Sequence, residues 1–541
     1  MRSSRICVSL CVAFALFAVG GGSASASSGQ QGPELRGAFA SFPDYMDPQL
    51  SYTFEGWNAL RDSYVPLLTY ARANGVAGAK VIPGLARRLP RISHGGKTYT
   101  LFLRKGLRYS DGTPVRASDF KFAIERTLRL NSGGSVFYTD IVGARRFSRK
   151  RRGGIPGIRT DNRTGRIVIH LARPRPTFTD ELALMFAAPV PPDTPLRDAS
   201  LDPPPATGPY MITDAEPGLG WTYVRNPEWR GRNGRLMPQL PGGHVGKIRI
   251  DVIPNGVREV RMVERGELDW MQNPPPAPYF ARLIKKYEGT QFRIESTPST
   301  YYFWMNTQKA PFSSLKVRRA VNYAIDPAAL QRIYGDQVTP TQQILPPGIP
   351  GYRQFELYPH NMAKARQLIA EADPSDRNIT VWTDNEAPND EAGVYYRNVL
   401  RELGFNAHLR VRNAGDYFWV IGNLSTSNLD TGWSDWFEDY PHPNDFFSPL
   451  LAGSSILRFN NGNFAQFDVP SINQKIKELG TTPGPLPKGQ YAALDKRIMK
   501  LAPWAPYGTR MLSIFVSSRV DLAKVIWNPT FGADLTSFQF K

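Results

Sequence analysis

The densest group of residues able to do chemistry is Asp435-Trp436-Phe437-Glu438-Asp439-Tyr440, three acids and three aromatics in six positions, followed by Pro441-His442-Pro443. Two carboxylates four residues apart share one face of a helix, so Asp435 and Asp439 could imitate the acid pair of a glycoside hydrolase. The prolines that follow argue for a loop instead. No G-x-S-x-G, H-E-x-x-H or G-x-x-x-x-G-K-[ST] occurs anywhere in the chain. The six histidines, His94, His170, His244, His360, His408 and His442, are scattered with no two at ligand spacing, so no dedicated metal site is expected. The only cysteines are Cys7 and Cys11, near the start.

A second aromatic group, Tyr301-Tyr302-Phe303-Trp304, opens a passage that is informative as a whole. That passage, Tyr301–Asp326, and an earlier one, Pro83–Glu125, resemble the signature regions of the extracytoplasmic solute-binding proteins of family 5, the peptide, oligopeptide and nickel receptors of ABC importers. The likeness continues through Met46-Asp47-Pro48, Thr207-Gly208-Pro209-Tyr210, Asp435–Pro441 and the Ala505–Leu535 return, in order over Leu35–Lys541. The Lys316–Asp326 helix and the Tyr99–Ser118 block are the specific parts. Thr-Gly-Pro-Tyr alone is weak.

The resemblance implies an α/β, two-lobed periplasmic-binding-protein fold (type II, cluster C), with a discontinuous lobe I and an extra inserted domain. The implied division is a signal peptide at 1–26, lobe I at 27–60, the inserted domain at 61–204, and lobe I again at 205–298. Lobe II follows at 299–507, and the C-terminal strands of lobe I at 508–541. The implied role is a receptor that captures an oligopeptide by lobe closure and delivers it to permease subunits in the membrane, as a monomer, with no cofactor and no catalysis. Another small solute (an oligosaccharide, an opine or a metal chelate) is the alternative, and an extracellular hydrolase on the same scaffold a weaker one.

In peptide-binding relatives the sequence Gly-Trp-x-Ala-Asp-Tyr places an aspartate in the cleft, where it pairs with the ligand's α-ammonium. Asp439 stands at that position, with Trp436 three residues before it. A desolvated ammonium needs a fixed opposite charge, and charge-assisted pairs are the shorter and stronger ones. Here Asp435 replaces Gly and Glu438 replaces Ala, two extra acids that favour a more cationic ligand. Flat aromatic walls give contact without sequence preference. The expected ligand-binding residues are therefore Asp439, Trp436, Trp433, Tyr302 and Trp304. Strand alternation sends Tyr301 and Phe303 one way and Tyr302 and Trp304 the other, so only one pair can line a pocket.

The elements that must position these residues alternate between strand and helix, as α/β lobes require. Strands are expected at Glu34–Phe39, Lys97–Arg104, Arg166–Leu171, Tyr210–Ile212, Trp221–Arg225, Lys247–Ile253, Tyr301–Asn306 and Asn378–Trp382. Phe42–Tyr52 reads as an aromatic, turn-rich loop, and helical spacing follows it from Thr53 towards Pro66. Ser118 is expected to cap a helix with Phe120, Ile124 and Leu128 inward, and Asp326 one that begins with Pro327. Helices are also expected at Val257–Gly266, through Val317, Val321 and Ala324, at Ala363–Ala372 and at Asp390–Leu403. The proline-rich run Pro189–Pro205 marks a boundary. Arg510–Val516 and Lys524–Thr530 are strand-rich, without a helix of their own, and are expected to complete a sheet begun earlier.

Arg2 and Arg5, the apolar run Ile6–Val19 and Ala24-Ser25-Ala26 make a secretory signal peptide, cleaved after Ala26. The mature chain then carries no cysteine, hence no disulfide and no lipid anchor. The whole chain of 541 residues has a formal charge of +19, and losing Arg2 and Arg5 leaves 64 basic against 47 acidic residues. Such a charge suits anionic wall polymers or lipid headgroups outside the cell, and export makes nucleic acid an implausible partner. The basic run Arg145–Arg152 is expected to be a solvated loop.

Overall fold

The computed structural model describes residues 32–425 and 428–541. The expected signal peptide therefore lies outside the described residues. Among them, no helix is long and apolar enough to cross a membrane.

Apolar alternation builds the central feature. Among the described residues, twelve strands join one mixed sheet. Its order is Asn406–Arg412, Asn378–Asp384, Thr431–Phe437, Ser299–Met305, Trp504–Val516, Trp270–Met271, Glu34–Phe39, Lys247–Val252, Gly220–Arg225 and Tyr210–Glu216. Phe292–Ser296 and Val338–Pro340 pair separately with Trp504–Val516. That long strand is antiparallel to Ser299–Met305 near its start and to Trp270–Met271 at its end, so it runs through both halves of the molecule. One buried apolar core gathers residues from Leu35 to Ile250 with Leu512–Phe538; a second gathers Tyr301–Tyr507.

A separate four-stranded sheet, Arg91–Ser93, Thr98–Phe102, Arg166–His170 and Ile158–Asp161, lies beside the helix Ala117–Arg129. Phe120, Ile124 and Leu128 of that helix are fully buried, as their spacing predicts. Its start differs from expectation. The helix begins at Ala117, and Asp119 rather than Ser118 closes it, its Oδ2 accepting from the Arg116 N–H at 2.8 Å. The longer acid reaches back over the first turn, while the Ser118 hydroxyl accepts from Asn162 instead. The Asp326 cap stands as expected, its Oδ1 accepting from the Ala328 N–H at 2.9 Å.

Other differences have local causes. The helix after Thr53 is only Phe54–Leu60. The basic run is not a loop: Ala144–Lys150 is helical, with Ala144 and Phe147 buried at a three-residue spacing beneath the charges. Its last turn ends at Arg151, in the left-handed region at φ 52°. Of Lys524–Thr530, only Trp527–Asn528 is a strand.

Buried charge ties the chain's ends to its middle. Asp47 is fully buried and takes both Nη atoms of Arg126, at 2.6 and 2.5 Å. Arg72 Nη1 lies 2.5 Å from Asp62 Oδ1 and 3.1 Å from Asp534 Oδ2, clamping the C-terminal segment against the N-terminal one. Two carboxylates sharing one guanidinium in a dry site hold only while all three are present.

Candidate functional site

The segment singled out by its chemistry sits where the two cores meet. Asp435 lies inside the strand Thr431–Phe437, and Glu438–Tyr440 lead out of it. Asp435 and Asp439 therefore do not share a helix face. Register places Asp435 opposite Tyr301 and Trp433 opposite Phe303. Burial, with the Asp435 charge, pushes the Tyr301 hydroxyl well above its ordinary pKa.

Asp439 is 6% exposed, and its Oδ2 accepts from the Tyr52 hydroxyl at 2.8 Å. Tyr52 comes from the Phe42–Tyr52 loop, and local acids fix its direction. Asp44 accepts from the Tyr52 N–H at 2.6 Å and from the Ser51 hydroxyl at 2.8 Å. Asp47, held by Arg126, also accepts from the Gln49 N–H at 3.0 Å. Behind Asp439, Asp445 Oδ2 accepts from the Asp439 N–H at 2.8 Å and from Trp436 Nε1 at 3.3 Å. Glu438 Oε1 accepts from the Thr530 hydroxyl at 3.0 Å. Asp180, from the short helix Phe178–Glu181, accepts from the Tyr70 hydroxyl at 3.4 Å.

Three buried carboxyls, Glu438, Asp439 and Asp445, and the half-buried Asp180 thus meet only uncharged donors. Burial is the first cause of their shifts and pushes each one upward. Glu438 rises to about 8, with the charges of Asp439 and Asp180 adding to burial. Asp180 rises to about 7, with Glu181 adding. Asp439 and Asp445 are both held above the usual carboxylate range by burial, and Asp445 is raised further by the charge of Asp439. The nearest guanidinium by chain, Arg175, is committed to Glu181 at 2.6 Å and Asp140 at 3.1 Å. Burial keeps His442 neutral, its pKa lowered to about 4, and its Nδ1 accepts from the Asn444 N–H.

A second acidic group flanks Asp435. Burial raises Asp435 to about 7, with Asp384 adding to it. Glu55 rises to about 7 and Asp384 to about 6, again first through burial. Arg510, on the long strand, holds its guanidinium 5.3 Å over the Tyr334 ring.

The aromatic expectations divide. Trp436 is half-buried and touches the acid network through Asp445. Trp433 is 2% exposed; its Nε1 donates to the Tyr507 hydroxyl at 2.9 Å, and its ring lies 6.0 Å from that of Tyr301. Tyr302 and Trp304 are corrected: both are fully buried and belong to the core of the second half. Tyr302 stacks on Trp504 at 3.6 Å, and Trp304 Nε1 donates to the Trp433 carbonyl at 3.1 Å. Both faces of the strand are covered, and of its aromatics it is Tyr301 that reaches the acids. Tyr52, Asp180, Asp445 and Thr530 were missed. Only Tyr52 carried a signal, as the last aromatic of a loop that begins the resemblance. Among the described residues, no three His, Cys, Asp or Glu side chains are grouped to hold a metal ion.

The sequence profile of the bacterial extracellular solute-binding proteins, family 5 middle region, matches residues 80–457. Heme-binding protein A of Haemophilus influenzae is 26% identical over 445 residues, covering 77% of this chain and 76% of its own. The glutathione-binding protein GsiB of Salmonella choleraesuis is 25% identical over 444 residues, covering 77% and 78%. Among solved structures, clavulanic acid biosynthesis oligopeptide binding protein 2 superposes with a TM-score of 0.84 at 26% identity, covering 94% of this chain and 96% of that one. Haemophilus influenzae OppA, in complex with the peptide RPPGFSPFR, has the same fold, with a TM-score of 0.76 at 19% identity over 94% of this chain and all of that one.

Proposed function

This chain belongs to the bacterial extracellular solute-binding proteins of family 5, and from that premise we propose that it captures oligopeptides outside the cytoplasm and delivers them to an ABC importer. The family's extracytoplasmic setting agrees with the segment Arg2–Ala26, which we read as a signal peptide cleaved after Ala26 with no lipid anchor. The residues would divide as expected above, with lobe I, its inserted domain and lobe II closing on the ligand, and the chain acting as a monomer without catalysis. Relatives that bind heme and glutathione mark the other small solutes this scaffold takes.

The observation that carries the reading is Asp439, a buried carboxylate at the meeting of the two cores whose side chain receives a hydroxyl and no cation. A ligand α-ammonium supplies the missing charge. Ligand contacts made only in the closed state shift the lobes towards closure. A tight peptide at 100 times its Kd should stabilise the fold by about 2.7 kcal/mol. It should also shrink the radius of gyration in solution scattering. Asp439→Ala should weaken peptide binding by about two orders of magnitude, because the buried ammonium loses its partner. N-acetylated peptides should bind the unmodified protein as poorly. Acetylation without cost would return the assignment to another solute.

A further inference from the structure

We propose that the site around Asp439 takes two positive charges and not one, so that the preferred ligand is a peptide whose first residue carries a cationic side chain beside its α-ammonium. The inference rests on the peptide-receptor reading above. Its basis is the number and pairing of the carboxyls. Glu438, Asp439 and Asp445 come from the segment after the strand Thr431–Phe437, and Asp180 comes from the short helix Phe178–Glu181, far away in the chain.

Asp439 alone answers an α-ammonium. Beyond it, Glu438 is 4% exposed and its Oε2 has no hydrogen-bond partner; Asp445 is 1% exposed and its Oδ1 has none either. Buried polar atoms left without partners are rare, because each forfeits its hydration for nothing. Glu438 feels the charges of both Asp439 and Asp180. A second cation beside Glu438 would give its Oε2 the partner it lacks.

A metal ion does not fit the same geometry, since no three of the acids converge on one point. Spaced carboxyls call for an organic ligand with spaced charges. The side chain of lysine, ornithine or arginine at the first position extends several ångströms from the α-ammonium and meets that requirement.

The test compares Lys-Ala-Ala with norleucyl-Ala-Ala, which differ at the first side chain only in the ammonium. Calorimetric titration of the mature protein should show the lysyl peptide bound at least tenfold tighter. Glu438→Gln, and independently Asp180→Asn should the first variant fold poorly, should bring that ratio to threefold or less. Equal affinities in the unmodified protein overturn the proposal while leaving the receptor reading standing. A ratio that survives both variants, or that falls only in Asp435→Asn, also overturns it by placing the cation elsewhere. Should neither peptide bind at all, the receptor reading falls and takes this proposal with it.

Discussion

The Tyr52 hydroxyl donates to Asp439 Oδ2 at 2.8 Å between residues 387 positions apart, joining the N-terminal loop to the acid of the candidate site. Tyr52 packs against the first core, and Asp439 follows a strand of the second half, so the bond spans the place where the two meet. Hydrogen bonds to a charged group contribute about 1.5–3 kcal/mol. Tyr52→Phe should therefore weaken peptide binding by about tenfold or more, while leaving the ring's stacking on Trp57 at 5.8 Å in place. Isothermal titration reads it out, and an unchanged Kd would mean the bond plays no part in closure.

The raised carboxyls give the unliganded protein a definite pH dependence. Glu438 at about 8, Asp180 at about 7 and Asp435 at about 7 keep protons in the fold that ordinary carboxyls at 4.5 or 3.8 lose on unfolding. The folded state then binds more protons than the unfolded one between about pH 4 and 8, so stability falls as pH rises through that window. Around Glu438 the facing groups are Asp439, Asp445, Asp180, Tyr70 and Tyr440; Arg175 and Glu181 neutralise each other nearby. The melting temperature without ligand should be higher at pH 5 than at pH 8. A cationic ligand favours the charged carboxyls, so its binding should release protons and tighten from pH 6 to pH 8. Calorimetry in buffers of different ionisation enthalpy measures the release, and proton uptake instead would contradict the charge assignment.

Arg72→Met should destabilise the fold by about 3–5 kcal/mol, because Asp62 and Asp534 would stay buried without their shared cation. Chemical denaturation of the unliganded protein measures the loss. A change below about 1 kcal/mol would show that water or Arg61 takes over the role.

What the sequence discloses and what it hides follow from the range of each interaction. The helix Ala117–Arg129 was legible because Phe120, Ile124 and Leu128 repeat at the spacing of one helix face, and Asp326-Pro327 because a cap is a matter of two neighbouring residues. The helix Ala144–Lys150 was hidden because its arginines dominate the composition, while its anchor is only Ala144 and Phe147. Alternation in Ser299–Met305 told which side chains share a face. It could not tell that Trp504 covers the Tyr302 face, because that partner arrives about two hundred residues later. The site divides the same way: Asp439 and Trp436 stand in one short stretch, whereas Tyr52, Asp180 and Thr530 are brought to it only by the fold.

The long strand Trp504–Val516 also sets a schedule. It lies between Ser299–Met305 and Trp270–Met271 in the sheet, so neither half is complete until it has been made. Contacts between distant parts of a chain form slowly, because the intervening loop must close first. A ribosome that has finished residue 500 has still released no strand able to join the two halves. The fastening of one half to the other is therefore deferred until nearly all of the described elements have been made.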